Sequence, residues 1–206
     1  FPKHSIAVLS GPNFAEEVSR NMPAATLIAS NKIATSKKIA SIVQTKLFRP
    51  YVSDDVIGSQ VAGATKNVYA IACGVVEGKK FGKNAVASII SRSFAEVSRL
   101  NKSMRAKPET LAGLSGMGDL FLTCSSKKSR NFKLGLDLAS GMSLSSIIKK
   151  NSSIAEGVFT ARALKQMSLK KKLNLPIAET VYQILYRKKN IDHAIEELLN
   201  RPIGRE

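Results

Sequence analysis

The sequence predicts a mainly α protein, in which a short α/β stretch over residues 1–57 precedes an all-helical domain over residues 58–206. Two observations carry this. Short apolar runs alternate with helical patterns up to Asp54-Asp55, the rhythm of an α/β sheet. Beyond residue 58 no convincing strand is found, and apolar residues recur at spacings of three and four.

Residues 5–9, Ser-Ile-Ala-Val-Leu, read as a buried strand, and Ser10-Gly11-Pro12-Asn13 is turn chemistry. Phe14 to Val18 makes a turn or two of helix, and Pro23 to Ala29 a second strand. Ser36 is placed to cap a helix over 37–46, whose Ile39, Ile42 and Val43 share a face. Phe48 to Val52 is the third strand. The first long helix, 59–77, carries Val61, Ala64, Val68, Ile71, Ala72 and Val75 as one apolar stripe. Asn84 is expected to cap the next, with Val86, Ile89, Ile90, Phe94, Val97 and Leu100 facing inward. Lys107-Pro108-Glu109 opens another, with proline in the first turn. Leu114 to Asp119 is a glycine-punctuated loop. Helices follow over 130–139, 144–150 (capped by Ser143), 157–172, 177–188 and 192–199 (capped by Asp192).

Composition excludes several function classes. The 206 residues are 44% hydrophobic, so an ordinary core can be built. No run reaches the ~20 apolar residues of a membrane-spanning helix. Two cysteines, Cys73 and Cys124, support neither a disulfide framework nor a zinc site, which makes a reducing cytoplasm the default. The two histidines, His4 and His193, leave a histidine triad or a metal centre without support. Acid–base chemistry therefore falls to Lys, Asp or Glu. The net charge of +17 fits either an acidic partner or a solvated lysine surface with an anionic substrate. Nucleic acid is disfavoured, because aromatics are only 6% and no recognition motif is present.

Four groups of residues can carry chemistry. Lys66 sits in Gly63-Ala64-Thr65-Lys66-Asn67-Val68, after a turn with almost no side-chain bulk, where another backbone or a ligand can come close. Such a lysine either snorkels to solvent or is held in a cleft to exchange a proton with a substrate oxygen. Asp119 ends the glycine loop; it is either part of a turn or a partner for a lysine amine, with Thr123 one helical turn on. Ser129-Arg130-Asn131 opens a helix, which is either a capped start with a surface arginine or an anion site combining amides, dipole and guanidinium. Glu156-Gly157 places a carboxylate at another helix start, as a favourable charge or as a ligand contact.

Together these segments resemble bacterial NAD(P)-dependent sn-glycerol-3-phosphate dehydrogenase. The resemblance rests on Leu9–Val18, Asp54–Gly58, Gly63–Val68, Gly113–Cys124, Ser129–Asn131, Glu156–Val158 and Leu175–Ile177, in the family's order and spacing. It implies reversible hydride transfer between NAD(P)H and dihydroxyacetone phosphate, giving sn-glycerol 3-phosphate for glycerophospholipid synthesis. It implies Lys66 as general acid/base with Asp119 as partner. Asn67, Thr123, Ser129, Arg130, Asn131, Gly11 and Asn13 become substrate-binding residues. Ala15, Arg130, Ile154 and Glu156 become cofactor contacts. Asn13 stands where the family usually has Ser or Thr, and Gln60 where it often has Glu. The implied fold is an all-helical substrate domain like that of 6-phosphogluconate dehydrogenase, behind the last part of a Rossmann domain. The family's glycine-rich dinucleotide fingerprint is absent, so the chain reads as truncated and as inactive, or nearly so, alone. Strands 1–57 are then expected to be disordered, rearranged or buried by another copy in a homo-oligomer. A hydroxyacid dehydrogenase of related architecture and a basic non-catalytic binding fragment remain as alternatives.

Overall fold

The computed structural model describes residues 4–150 and 155–203. Three strands, β1 (Val8–Ser10), β2 (Ala24–Ala29) and β3 (Phe48–Ser53), form one sheet in the order β1-β2-β3. β1 runs antiparallel to β2, pairing Val8 with Ala29, and β3 runs parallel to it, from Ala24 with Phe48 to Ala29 with Ser53. Pro50, which has no amide to donate, lies in β3 at the sheet edge, where a strand tolerates it.

Helices α1 (Ala15–Ser19) and α2 (Ile33–Val43) connect the strands. α2 starts earlier than Ser36 suggested. Ser36 is fully buried inside the helix and its hydroxyl donates to the Ser53 carbonyl at 3.2 Å, so it fastens α2 to the sheet instead of capping it.

The helical part comprises α3 (Val56–Gly78), α4 (Lys83–Ser103), α5 (Pro108–Ala112), α6 (Asp119–Ser125), α7 (Arg130–Ala139), α8 (Leu144–Lys150), α9 (Glu156–Lys171), α10 (Pro176–Arg187) and α11 (Ile191–Leu199). No strand is found in it among the described residues. α3 is the hub. Val68, Tyr69, Ala70, Ile71 and Cys73 are buried around its whole circumference, as expected of a helix packed on all sides. α4, α6, α7, α9 and α10 surround it.

α3 and α7 touch backbone to backbone. A Cβ on Gly135 would lie 2.2 Å from the Ile71 carbonyl oxygen, and one on Gly74 would lie 2.1 Å from that of Phe132. Two glycines facing each other permit this approach, which brings the start of α7 onto the middle of α3. The start of α4 is Gly82, at φ +88°, and Asn84 lies inside the helix. The cap of α11 is Asn190, whose side chain accepts from the His193 amide at 3.1 Å, and Asp192 is already helical.

Glu96 of α4 is a buried carboxylate. It accepts from the amides of Ile177 at 2.6 Å and Ala178 at 3.2 Å, in the first turn of α10, and from the Tyr69 hydroxyl at 3.2 Å. One side chain thus ties α3, α4 and α10 together. Burial pushes its carboxyl up to about 7, against the pull of these donors and of the nearby Arg99.

Residues 4–57 carry the three strands and two helices given above. The sheet is held to the helices by side-chain ties given below. Its exposed apolar surface is present, with Ile6, Leu9, Tyr51 and Val52 open to solvent.

Candidate active site

The site is built on α3. Asp55 fixes where that helix starts: one carboxylate oxygen accepts from the Gly58 amide at 2.9 Å and the other from the Lys107 amide at 2.8 Å. Asp54 pairs with the Lys107 amine at 2.7 Å. One turn before Lys66, the small-residue stretch admits another segment. A Cβ on Gly63 would stand 3.0 Å from the Ser10 hydroxyl, so the end of β1 rests there.

Lys66 does not run to open solvent. Its amine lies 2.5 Å from Asp119 Oδ2, with the lysine side chain 22% exposed and the aspartate 4%. Asp119 is delivered by a π-turn over Leu114–Gly118, where the sequence suggested a loop. The Gly118 amide donates five residues back to Gly113 at 3.2 Å, and a Cβ on Gly116 would collide with the Leu111 carbonyl at 1.9 Å. The wider turn runs directly into α6 and buries Asp119 in the first residue of that helix. Thr123, one turn on, donates to Asp119 Oδ1 at 3.3 Å. The Gly11 amide also acts on this carboxyl, lowering it slightly. Burial raises the Asp119 carboxyl above its ordinary range, and the Lys66 charge, the Lys66 and Thr123 hydrogen bonds and the Gly11 amide all pull it back. Lys66, Asp119, Thr123 and Gly11 therefore form one connected group drawn from α3, α6 and the loop after β1.

A second group adjoins it through Asn67, the residue after Lys66. Ser129 caps α7, its hydroxyl accepting from the Phe132 amide at 3.3 Å. Arg130 pairs with Glu156 at the start of α9, and both side chains are more than half exposed. Asn131 is buried. It donates to Asn67 Oδ1 at 3.0 Å and accepts from the Gly157 amide at 2.8 Å. A Cβ on Gly157 would lie 2.6 Å from both Asn131 Oδ1 and the Asn67 carbonyl oxygen, so glycine is required at this junction.

Asn13 meets the first group only through its backbone amide, which donates to the Gly11 carbonyl at 2.9 Å. Asn13 donates to Thr26 at 2.8 Å, and Thr26 in turn donates to the Ser10 carbonyl, which stiffens the loop carrying Gly11. Ala15 begins α1, which is held near α7 by the pair Glu17–Lys128 at 2.7 Å. Ile154 lies outside the described residues. Cys73 and Cys124 are free and buried, and burial pushes the Cys124 thiol well above its ordinary value, which leaves it inert. Sequence reasoning passed over Glu96. A signal existed, because Glu96 lies on the face of α4 that also carries Ser93 and Leu100, both buried. The Glu17–Lys128 tie left no signal, being a contact between distant segments.

This arrangement can hold an anion beside a protonated amine whose counter-ion is buried. Among the described residues no three His, Cys, Asp or Glu side chains gather as a metal ion would need. Nor is any helix long and apolar enough to cross a membrane.

Residues 55–196 match the profile of the NAD-dependent glycerol-3-phosphate dehydrogenase C-terminus, and residues 1–36 match that of its N-terminus. The chain is 48% identical to glycerol-3-phosphate dehydrogenase [NAD(P)+] of Caulobacter vibrioides, covering 100% of this chain and 62% of the relative. It is 47% identical to that of Zymomonas mobilis, covering 100% and 60%. It superposes on the crystal structure of glycerol-3-phosphate dehydrogenase from Coxiella burnetii with TM-score 0.93 at 37% identity, over 96% of this chain and 61% of that one. The chain thus spans about three fifths of the length of the curated relatives it matches. On the profile match and these identities, the chain belongs to the NAD-dependent glycerol-3-phosphate dehydrogenase family.

Proposed function

We propose that this chain carries the substrate-binding and proton-transfer part of an oxidoreductase that interconverts dihydroxyacetone phosphate and sn-glycerol 3-phosphate with NAD or NADP. The observation that supports it most is the Lys66–Asp119 pair at 2.5 Å, set beside Asn67, Arg130 and the start of α7. Lys66 gives its proton to the substrate carbonyl oxygen in reduction and takes it back from the hydroxyl in oxidation. Asp119 holds the amine in place, and Thr123 holds Asp119. Arg130, Asn67 and Ser129 at the N-terminus of α7 receive the phosphate. Asn131, Asn13, Ala15, Ile154 and Glu156 complete the proposed set, the last three with Arg130 on the cofactor side.

Bound nicotinamide would supply or accept the hydride. The described residues fit only that reacting end. After each strand comes a turn without the glycine-rich run that would bring a pyrophosphate onto a helix N-terminus: Ser10-Gly11-Pro12-Asn13, Ser30-Asn31-Lys32 and Asp54-Asp55. Residues 1–57 accordingly form the nucleotide-domain part and 58–206 the substrate domain. A cytoplasmic setting agrees with two free thiols. The open sheet edges favour assembly with another copy, and the product would feed glycerophospholipid synthesis.

A ligand panel tests the reading. Calorimetric titration is expected to show saturable binding of glycerol 3-phosphate and dihydroxyacetone phosphate, and none of 3-hydroxybutyrate or duplex DNA. Preference for the hydroxyacid, or steeply salt-dependent DNA binding with no phosphate-ester binding, would overturn it.

A further inference from the structure

We propose that the end of the molecule where α4 and α9 finish together is a docking face for an anionic lipid bilayer. The net charge of +17 is far more than the proposed reaction uses, and part of it is gathered here.

Three cations draw this face together from separate elements. Arg99 of α4 donates to the Asn174 carbonyl at 3.0 Å, in the loop between α9 and α10. Lys171, at the end of α9, donates to the Ser103 carbonyl at the end of α4 at 3.0 Å. Arg201, beyond α11, donates to the Asn174 side-chain oxygen at 3.5 Å. The two helix C-termini each carry about half a negative charge, which one lysine, Lys171, offsets. Lys102, Lys170 and Lys172 are also exposed, and they have no ion pair among the described residues. Their charge is therefore in excess and complements an acidic surface.

The shape of the face selects the kind of acidic surface. Between the end of α9, the loop after it and Arg201 lies a hollow of about 400 Å³, into which Lys172, Asn174 and Arg201 face. Its one carboxylate, Glu179, is already paired with Lys165 at 2.8 Å. The hollow can seat a lipid phosphate among donors. Leu169 on its rim is 65% exposed, and Ile203, two residues beyond Arg201, is fully exposed. A soluble anion gains nothing from these side chains. A bilayer takes them into its interface while the lysines meet its headgroups. Both are aliphatic and offer no ring on which a base could stack, which disfavours nucleic acid. The first residue of α9 is Glu156 of the candidate active site, so its last turn lies ~22 Å away and docking does not cover the cleft.

Vesicle sedimentation with the 206-residue chain tests this. At low salt the chain should bind vesicles of equal parts phosphatidylglycerol and phosphatidylcholine, and not phosphatidylcholine alone, and added salt should release it. Binding to both alike, or to neither, would overturn the proposal. Lys170→Gln combined with Lys172→Gln should weaken binding about twenty-five-fold, at about fivefold per lysine. Lys37→Gln combined with Lys38→Gln removes the same charge from exposed positions on α2 and should weaken it by no more than about twofold. Equal losses would show that total charge, not this face, attracts the vesicle, and would overturn the proposal. The chain has no tryptophan, so Leu169→Trp reports from the face alone. Its fluorescence should shift to the blue on the anionic vesicles; an unshifted spectrum from bound protein would mean that another face meets the bilayer. Duplex DNA bound as tightly as the vesicles, and lost in the Lys170 and Lys172 variant, would assign the face to nucleic acid and overturn the lipid reading.

Discussion

At Lys66 two opposing effects meet in its partner. Burial raises the Asp119 carboxyl above its ordinary value of 3.8, and the charge of Lys66 is the largest cause pulling it back. A carboxyl raised in this way holds its proton more readily in the folded than in the unfolded chain. Its contribution to stability is therefore full below the unfolded value and is lost as pH rises through the folded one. Lys66→Met removes the opposing charge and pushes Asp119 further up. The variant is expected to match the unsubstituted chain in acid and to fall behind it as pH rises to neutrality, by about 3 kcal/mol. Urea unfolding at several pH values measures this; an equal deficit at every pH would show that Asp119 is not the group responsible. The sequence made Lys66, Asp119 and Thr123 legible, because small residues, a glycine turn and one-turn spacing are local features. It did not reveal how Asn131 is used. Its two partners lie 64 and 26 residues away, and only the fold brings them to it.

Elements were legible in kind but less so in their ends. Apolar periodicity found nearly every helix, since burial of one stripe is what holds each in place. The errors came from polar residues with several uses. Ser36 looked like a cap and is an interior tie to Ser53, while Asp192 looked like a cap and Asn190 is the one that bonds. The stretch Leu114–Gly118 looked like a loop because its glycines mask a π-turn. Glu96 is the element-scale feature with a measurable consequence. Its carboxyl is raised from 4.5 to about 7, so the stability it gives is complete below the lower value and lost as pH rises through the upper one. That difference corresponds to about 3 kcal/mol at high pH. Glu96→Gln keeps an acceptor for the Ile177 amide and cannot ionise. Its unfolding midpoint is expected to vary much less between about pH 5 and about pH 8 than that of the unsubstituted chain. An unchanged pH profile would assign the dependence to another group.

At the scale of the whole molecule, the ties between the sheet and the helices among the described residues include Ser10 on Gly63, Glu17 with Lys128, and Asp54 and Asp55 with Lys107. These ties hold the short strands against the helices. None is visible locally, since each links segments far apart in the chain. They also make the sheet a wall of the proposed site, with Gly11 as its contact. The wall carries no pyrophosphate cradle among its described turns. Mixed with NADH or NADPH and dihydroxyacetone phosphate, the chain alone is expected to give no loss of nicotinamide absorbance above background, because cofactor and ketone cannot be held in reacting geometry. Turnover that disappears in Lys66→Ala would show that the residues present suffice to seat the cofactor.

The central claim is that Lys66 faces the reacting oxygen of a phosphorylated three-carbon substrate. A crystal structure of the chain soaked with glycerol 3-phosphate tests it most directly. The secondary hydroxyl is expected within about 3 Å of the Lys66 amine, with the phosphate against Asn67 and Arg130. A phosphate seated on Lys66 itself, or a ligand bound away from the α3–α7 junction, would contradict the account.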